Sequence, residues 1–375
     1  MPGSQQGMEY RRLLDSLNSI YLRRGALVFV ADPKKLLRTV VSNPSIIVDR
    51  TRMVIRQVKS ASTRARYERE GLLIPHLLLL TITHRCNLAC SGCYMRNRQV
   101  QPVSEMNFDE IRSVVSQARD LGVANIVILG GEPLLRWKEI IGIARTFPDF
   151  PFLLFTNGLL LNDEVAKEMV SCSNVIPFIS FDGFQEETDA RRGSGVFDRL
   201  LSVCALLNDQ LLFFGCSVTV TRENIDIVLG EPFMQTIIGT GARAVTLIPF
   251  VPTMPGTDGL VLTPGQKRTL IERIPELSRK FPAVFVPVPG DVEVFGGCLA
   301  AGRGFIHVTP TGDLEPCAMV PYSDANLKTV PLKEALRSPF LAAIRQNHDR
   351  IKPDGHCALR TDRKWVQELF SGDTR

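Results

Sequence analysis

The chain has no apolar run long enough to cross a bilayer. The longest, around Leu72 to Ile82, is interrupted by Pro75 and His76 and falls short of the roughly 20 residues a spanning helix needs. Its first residues, Met-Pro-Gly-Ser-Gln-Gln-Gly-Met-Glu-Tyr-Arg-Arg, lack the apolar stretch of a secretory signal. Low-complexity tracts are absent too, and nothing repeats beyond an alternation of short β-rich and helical segments. What is left is a globular chain of 375 residues, 45% of them hydrophobic, enough for one large core with additions. The cytoplasm is the expected location, with peripheral contact at the inner membrane face as an alternative.

Net positive charge is confined to the first fifth. Residues 1 to 70 hold 14 Lys or Arg against 6 Asp or Glu, so a chain of net charge +5 carries +8 there and −3 elsewhere. A basic leader fits an anionic membrane surface or an acidic partner, although a solvated helical face is the commoner cause of such a pattern; nucleic acid is not an expected partner. The leader reads as helical, with Tyr10, Leu14, Leu17 and Tyr21 on one stripe, a second helix from about Pro33, and a third carrying Ile47, Met53, Val54 and Val58 after Pro44.

A fourth cysteine is missing from the most informative motif. Cys86, Cys90 and Cys93, in Thr-His-Arg-Cys-Asn-Leu-Ala-Cys-Ser-Gly-Cys-Tyr, have C-x3-C-x2-C spacing and follow a strand-like run. A closed zinc or 4Fe-4S site takes four protein ligands, so three thiolates leave one metal position for chemistry. A zinc knuckle completed by His84, or merely buried thiols, would account for the triplet alone. The other six cysteines divide evenly: Cys172, Cys204 and Cys216 lie among apolar neighbours and read as core, while Cys298, Cys317 and Cys357 sit in Gly-Gly-Cys, Glu-Pro-Cys and Gly-His-Cys settings. Reducing thiol pools in the cytoplasm disfavour disulfides for all nine.

From residue 77 the pattern alternates strands with helices, as in βαβ units of a parallel sheet. The expected strands are Leu77 to Thr83, Asn125 to Leu129, Phe152 to Thr156, Val175 to Phe181, Leu212 to Thr221 and Ala244 to Pro249. Right-handed crossovers make this an α/β fold, a six-stranded partial (β/α) TIM-like barrel with ligand sites at the carboxyl ends of its strands. Those ends carry Gly130-Gly131-Glu132-Pro133, Thr156-Asn157-Gly158 and Ser180-Phe181-Asp182-Gly183, then Thr219, Thr221 and Asn224. Capping and turn formation would use the same residue types.

With the cysteine triplet after the first strand and Gly-Gly-Glu after the second, the chain resembles the radical S-adenosylmethionine (radical SAM) superfamily over about residues 75 to 325. The resemblance implies a 4Fe-4S cluster on Cys86, Cys90 and Cys93, whose open iron takes the amino and carboxylate groups of S-adenosylmethionine. One electron from an external low-potential donor then splits the sulfonium to a 5'-deoxyadenosyl radical, which abstracts hydrogen from a substrate. It further implies that Gly130, Gly131 and Glu132 hold the methionyl amine, that Asn157, Ser180 and Thr219 lie near the ribose, and that Arg192, in Asp189-Ala190-Arg191-Arg192-Gly193, pairs with the methionyl carboxylate. Arg191 is then an ordinary surface charge. Gly92 departs from the family, which often places an aromatic there near adenine; Tyr94 is expected to compensate.

The tail, from Cys298 through Thr311-Gly312-Asp313 to Cys317 and Cys357, resembles a twitch or SPASM extension without the full seven cysteines. That implies a second 4Fe-4S cluster, with His356, a substrate or solvent at the remaining position. Phe305 to Val308 and Leu314 are expected to form a hairpin there. The expected organisation is a basic helical extension (1–70), a barrel core (75–250), a linker and helix (251–295) and a cluster-binding tail (296–375). The expected substrate is a peptide or protein; a lipid or isoprenoid at the membrane surface, or a small molecule, is the alternative. A non-catalytic iron-sulfur carrier or redox sensor would need the cysteines but not Gly-Gly-Glu or Arg192.

Overall fold

A computed structural model describes residues 45–98, 104–287, 298–351 and 357–371. The leader helices expected around Tyr10 to Tyr21 and Pro33 lie outside the described residues, as does His356. Among the described residues no helix is long and apolar enough to cross a membrane.

Strands and helices alternate along the core, giving β1 (Leu77–Thr81), β2 (Asn125–Leu129), β3 (Phe152–Thr156), β4 (Val175–Phe181), β5 (Gly215–Val220), β6 (Ala244–Pro249), β7 (Val284–Pro287), β8 (Phe305–Val308) and β9 (Leu314–Glu315). They form one sheet in the order β7-β6-β5-β4-β3-β2-β1-β8-β9. Every pairing is parallel except β8 with β9. All six expected barrel strands are present, four of them with the expected bounds. Three more extend the sheet: β7 on one edge, and on the other the β8–β9 hairpin, whose turn includes Gly312 at φ 92°. β8 pairs in parallel with β1 from Leu77↔Phe305 to Leu80↔Val308, so the segment after Cys298 continues the barrel sheet.

Side-chain alternation separates the two faces. Leu78, Leu80, Ile126, Ile128, Phe152, Leu154 and Val218 point to the helical layer and are essentially inaccessible. Leu79, Leu129, Leu153, Phe155, Ser180, Thr219 and Ile248 lie on the opposite, concave face and are half-buried. There Phe155 and Phe178 stack with centroids 5.0 Å apart. Cys172, Cys204 and Cys216 are buried in the core, as expected.

Helix Ser45–Arg69 inverts the expected pattern. Met53 is buried, but Val54 and Val58 are exposed at 51% and 69%, while Arg56, Gln57, Ser60 and Arg64 face inward. The cause is what the helix covers. Helix Phe108–Leu121 ends at Gly122, and its terminal carbonyls need donors. Arg64 Nη1 donates to Gly122 O at 2.6 Å, Arg56 donates to Arg119 O, and Gln57 donates to Ala124 O at 2.9 Å.

The other end of helix Phe108–Leu121 is closed by a capping box. Asn107 Oδ1 accepts from Glu110 N at 3.0 Å, and Glu110 Oε2 accepts from Asn107 N at 2.8 Å. Asn107→Ala is expected to cost about 1 kcal/mol, read as a lower urea midpoint at unchanged slope.

Candidate active site

The cysteine loop leaves β1 and is gripped from both sides. Thr83 Oγ1 and His84 N–H donate to Glu105 Oε1 at 2.8 and 2.9 Å, and Arg136 Nη1 donates to Ile82 O at 2.8 Å. The Gly-Gly-Glu loop after β2 lies directly against it, with Gly131 N donating to Thr83 O and Glu132 N to Arg85 O, both at 2.8 Å. A Cβ on Gly131 would sit 2.3 Å from Arg85 O and 2.6 Å from His84 O. The glycines thus serve close backbone approach, and what approaches is the cysteine loop itself.

Glu132 is inaccessible to solvent. Its Oε1 accepts from Leu134 N at 2.9 Å and Thr156 Oγ1 at 2.7 Å, and its Oε2 accepts from Asn157 N at 2.8 Å. Burial raises its pKa and these three donors oppose the rise. This carboxylate ties the loop after β2 to the end of β3. Asn157 Nδ2 donates to Asn87 Oδ1 at 2.8 Å and lies 3.9 Å from Cys86 Sγ, so it braces the cysteine loop.

Asp182, at the end of β4, joins the loop to the next helix. Its carboxylate takes both Arg191 and Arg192 at 2.5 Å. Burial alone would raise its pKa, but the Arg192 and Arg191 charges outweigh burial and hold it below the ordinary carboxylate range. Arg191 corrects the surface-charge expectation. It is 17% exposed, its Nε donates to Ser91 O at 3.2 Å, and its carbonyl accepts from Ser91 N at 2.9 Å, which clamps helix Gln185–Arg192 to the cysteine loop. Arg192 spends only Nε on Asp182; among the described residues its two amino groups make no hydrogen bond. Asp189 accepts from Gly195 N and Phe197 N at 2.7 and 2.9 Å, fixing the turn into the following helix.

Ser180 and Thr219 keep their expected places on the concave face. Ser180 Oγ lies 3.1 Å from Ser217 Oγ across the β4–β5 pair. Asn224 is spent structurally, its Nδ2 donating to Asp182 O at 2.7 Å and Thr219 O at 2.8 Å; Thr221 Oγ1 accepts from Glu223 N and Asn224 N. Tyr94 lines a cavity toward the hairpin with Glu315 and Met319, and burial raises its pKa. Phe250, just past the end of β6, packs against Gly92: its ring would lie 3.0 Å from a Cβ at that position, so an aromatic side chain stands beside the residue that precedes the third cysteine.

The thiols are half-buried and close enough to feel one another's charge. Burial pushes Cys86 and Cys90 above the usual thiol value, and the Arg192 guanidinium draws Cys90 back. Leu88 N donates to Cys86 Sγ at 3.4 Å. The same holds at the hairpin, where burial raises Cys298 to about 11 and Cys317 well above the usual thiol value, with Cys357 adding to both. Met319 N donates to Cys317 Sγ at 3.4 Å. Among the described residues no three Cys, His, Asp or Glu side chains stand at metal-ligating distance; both groups are gathered thiols that a metal would deprotonate and draw in. Soft donors with amide N–H groups aimed at sulfur fit an iron-sulfur cluster.

A family model described as Radical SAM superfamily matches residues 80–228. The chain is 27% identical over 313 residues to an AdoMet-dependent heme synthase of Methanosarcina barkeri, covering 76% of this chain and 88% of that protein. It is 30% identical over 265 residues to a mycofactocin maturase of Mycolicibacterium smegmatis, covering 67% and 66%. The fold resembles that of Streptococcus suis SuiB bound to S-adenosylmethionine, with a TM-score of 0.62 at 17% identity over 76% of this chain and 72% of that one. It also resembles anSMEcpe with bound AdoMet, with a TM-score of 0.57 at 16% identity over 80% and 100%. The thiol triplet, the glycine loop that braces it and the matched residues 80–228 agree: this chain is an enzyme of the radical SAM superfamily.

Proposed function

We propose that this enzyme binds S-adenosylmethionine at Cys86, Cys90 and Cys93, cleaves it reductively, and abstracts hydrogen from a peptide. The observation that carries the reading is three half-buried thiols, and no fourth among their described neighbours, beside a buried guanidinium with two uncommitted amino groups. A 4Fe-4S cluster bound there supplies the electron that opens the sulfonium. Arg192 offers its free fork to the methionyl carboxylate, and Asp182 holds that fork in place. Backbone carbonyls of the Gly130–Gly131 loop take the methionyl amine in place of the occupied Glu132. Ser180 and Thr219 face the ribose, with Phe250 against adenine. The concave sheet face, lined by Phe155 and Phe178, limits water around the radical.

Cys298, Cys317 and Cys357 bind a second 4Fe-4S cluster, and an external low-potential donor supplies electrons. Support for a peptide comes from the relatives' names, which include a mycofactocin maturase and a PqqA peptide cyclase, and from SuiB solved with its precursor peptide. Anaerobic reconstitution, reduction and incubation with S-adenosylmethionine should yield 5'-deoxyadenosine; its absence defeats the proposal. Two clusters correspond to about eight irons per chain. Cys317→Ala is expected to lower bound iron to about half, and an unchanged iron content would remove the second cluster.

A further inference from the structure

Between the cysteine loop and the β8–β9 hairpin lies a cavity of ≈ 390 Å³ lined by His84, Tyr94, Arg98, Thr311, Met319 and Arg360, among others. Its floor is a buried charge relay. Arg98 Nη1 donates to Glu315 Oε2 at 2.7 Å, His307 Nδ1 lies 2.7 Å from the same oxygen, and His307 Nε2 lies 2.8 Å from Thr81 Oγ1. Arg98 is 12% exposed, and its Nη2 is buried without a hydrogen-bond partner among the described residues. Arg360 reaches the same cavity and makes no ion pair among the described residues. Buried donors are normally satisfied, and a guanidinium presents parallel N–H groups suited to a carboxylate.

The acidic wall residues do not compete for these donors. Asp313 accepts from Thr311 and Thr309 on Oδ2, and from Asn326 on Oδ1. Glu315 already serves Arg98 and His307. A dianion such as phosphate would face both carboxylates, whereas a single negative charge spread over two oxygens matches the two guanidinium groups, Arg98 and Arg360, that line the cavity.

We propose that this cavity binds a carboxylate group of the substrate, held by Arg98 and Arg360 between the two thiol groups. The inference rests on the reading of the cysteine loop as the reacting centre. The test is calorimetric titration of the anaerobically reconstituted full-length enzyme with butyrate, with its neutral amide and with inorganic phosphate, S-adenosylmethionine being left out. Butyrate is expected to bind at least tenfold tighter than the amide and tighter than phosphate. Arg98→Gln and Arg360→Gln should each weaken butyrate at least tenfold. Should Arg98→Gln fail to fold, judged by thermal unfolding, Arg360→Gln decides alone. Equal binding of butyrate and amide, tighter binding of phosphate, or variants that bind butyrate like the unaltered enzyme would overturn the proposal. Formation of 5'-deoxyadenosine by the unaltered enzyme is scored separately, so failure of the radical chemistry and failure of this cavity are distinguishable.

Discussion

Asp182→Asn is expected to cost about 3–5 kcal/mol of folding stability, because it leaves the Arg191 and Arg192 guanidinium groups buried without a counter-charge. The pair is among the least exposed charged groups of the protein: the carboxylate is 2% accessible and Arg192 9%. The measurement is urea unfolding of the apo chain, so that metal binding does not contribute. An effect under about 1 kcal/mol, the range of exposed pairs, would mean that water reaches these charges. The native pKa of Asp182 is depressed, so its contribution is fully present above the unfolded carboxyl value near 4 and is lost as pH falls through the lower native one. The Asp182→Asn variant should therefore be less stable than the unaltered chain at neutral pH and converge with it in strong acid.

Gly131→Ala is the second large effect, and it is steric. The added methyl would meet Arg85 O at 2.3 Å and its carbonyl carbon at 2.6 Å, both backbone atoms of the cysteine loop, so no side chain can swing aside. Overpacking of this kind costs about 1–3 kcal/mol, and the relief available is displacement of the segment leading to Cys86. Iron bound at the first site should fall from about four per chain toward zero, with 5'-deoxyadenosine formation lost alongside. Gly130→Ala is the comparison, since its nearest atoms are at 3.2 Å, and it should retain most of its iron. Equal iron in the two variants would show that the glycine loop does not set the position of the cysteine loop.

Local pattern carried most of the fold. The barrel strands are short β-rich runs between helical periods, and the helix expected within residues 251–295 is present as Pro264–Lys280. Partner choice was not legible. Phe305 to Val308 reads as a strand, but nothing in its residues says that it pairs with β1, 228 positions earlier in register. The inverted helix Ser45–Arg69 escaped for a related reason: its arginines face inward because another element's carbonyl ends await them. At the site, residue type was legible and direction was not. Glu132 and Asn157 are acceptors and donors at the mouth of the sheet, as their positions suggested, yet both are consumed by neighbouring chain. Family resemblance singled out Arg192, but nothing in the sequence showed that Arg191 is held by Ser91 and Asp182.

The parallel bonding of β8 to β1 has a mechanical consequence. The segment bearing Cys317 leaves β9, which β8 joins to β1 in a single hydrogen-bonded sheet, so its placement relative to the loop bearing Cys86 is set by strand pairing rather than by a hinge. Any traffic between the two thiol groups then crosses a gap of constant width, and turnover need not wait for a mobile appendage to swing into place.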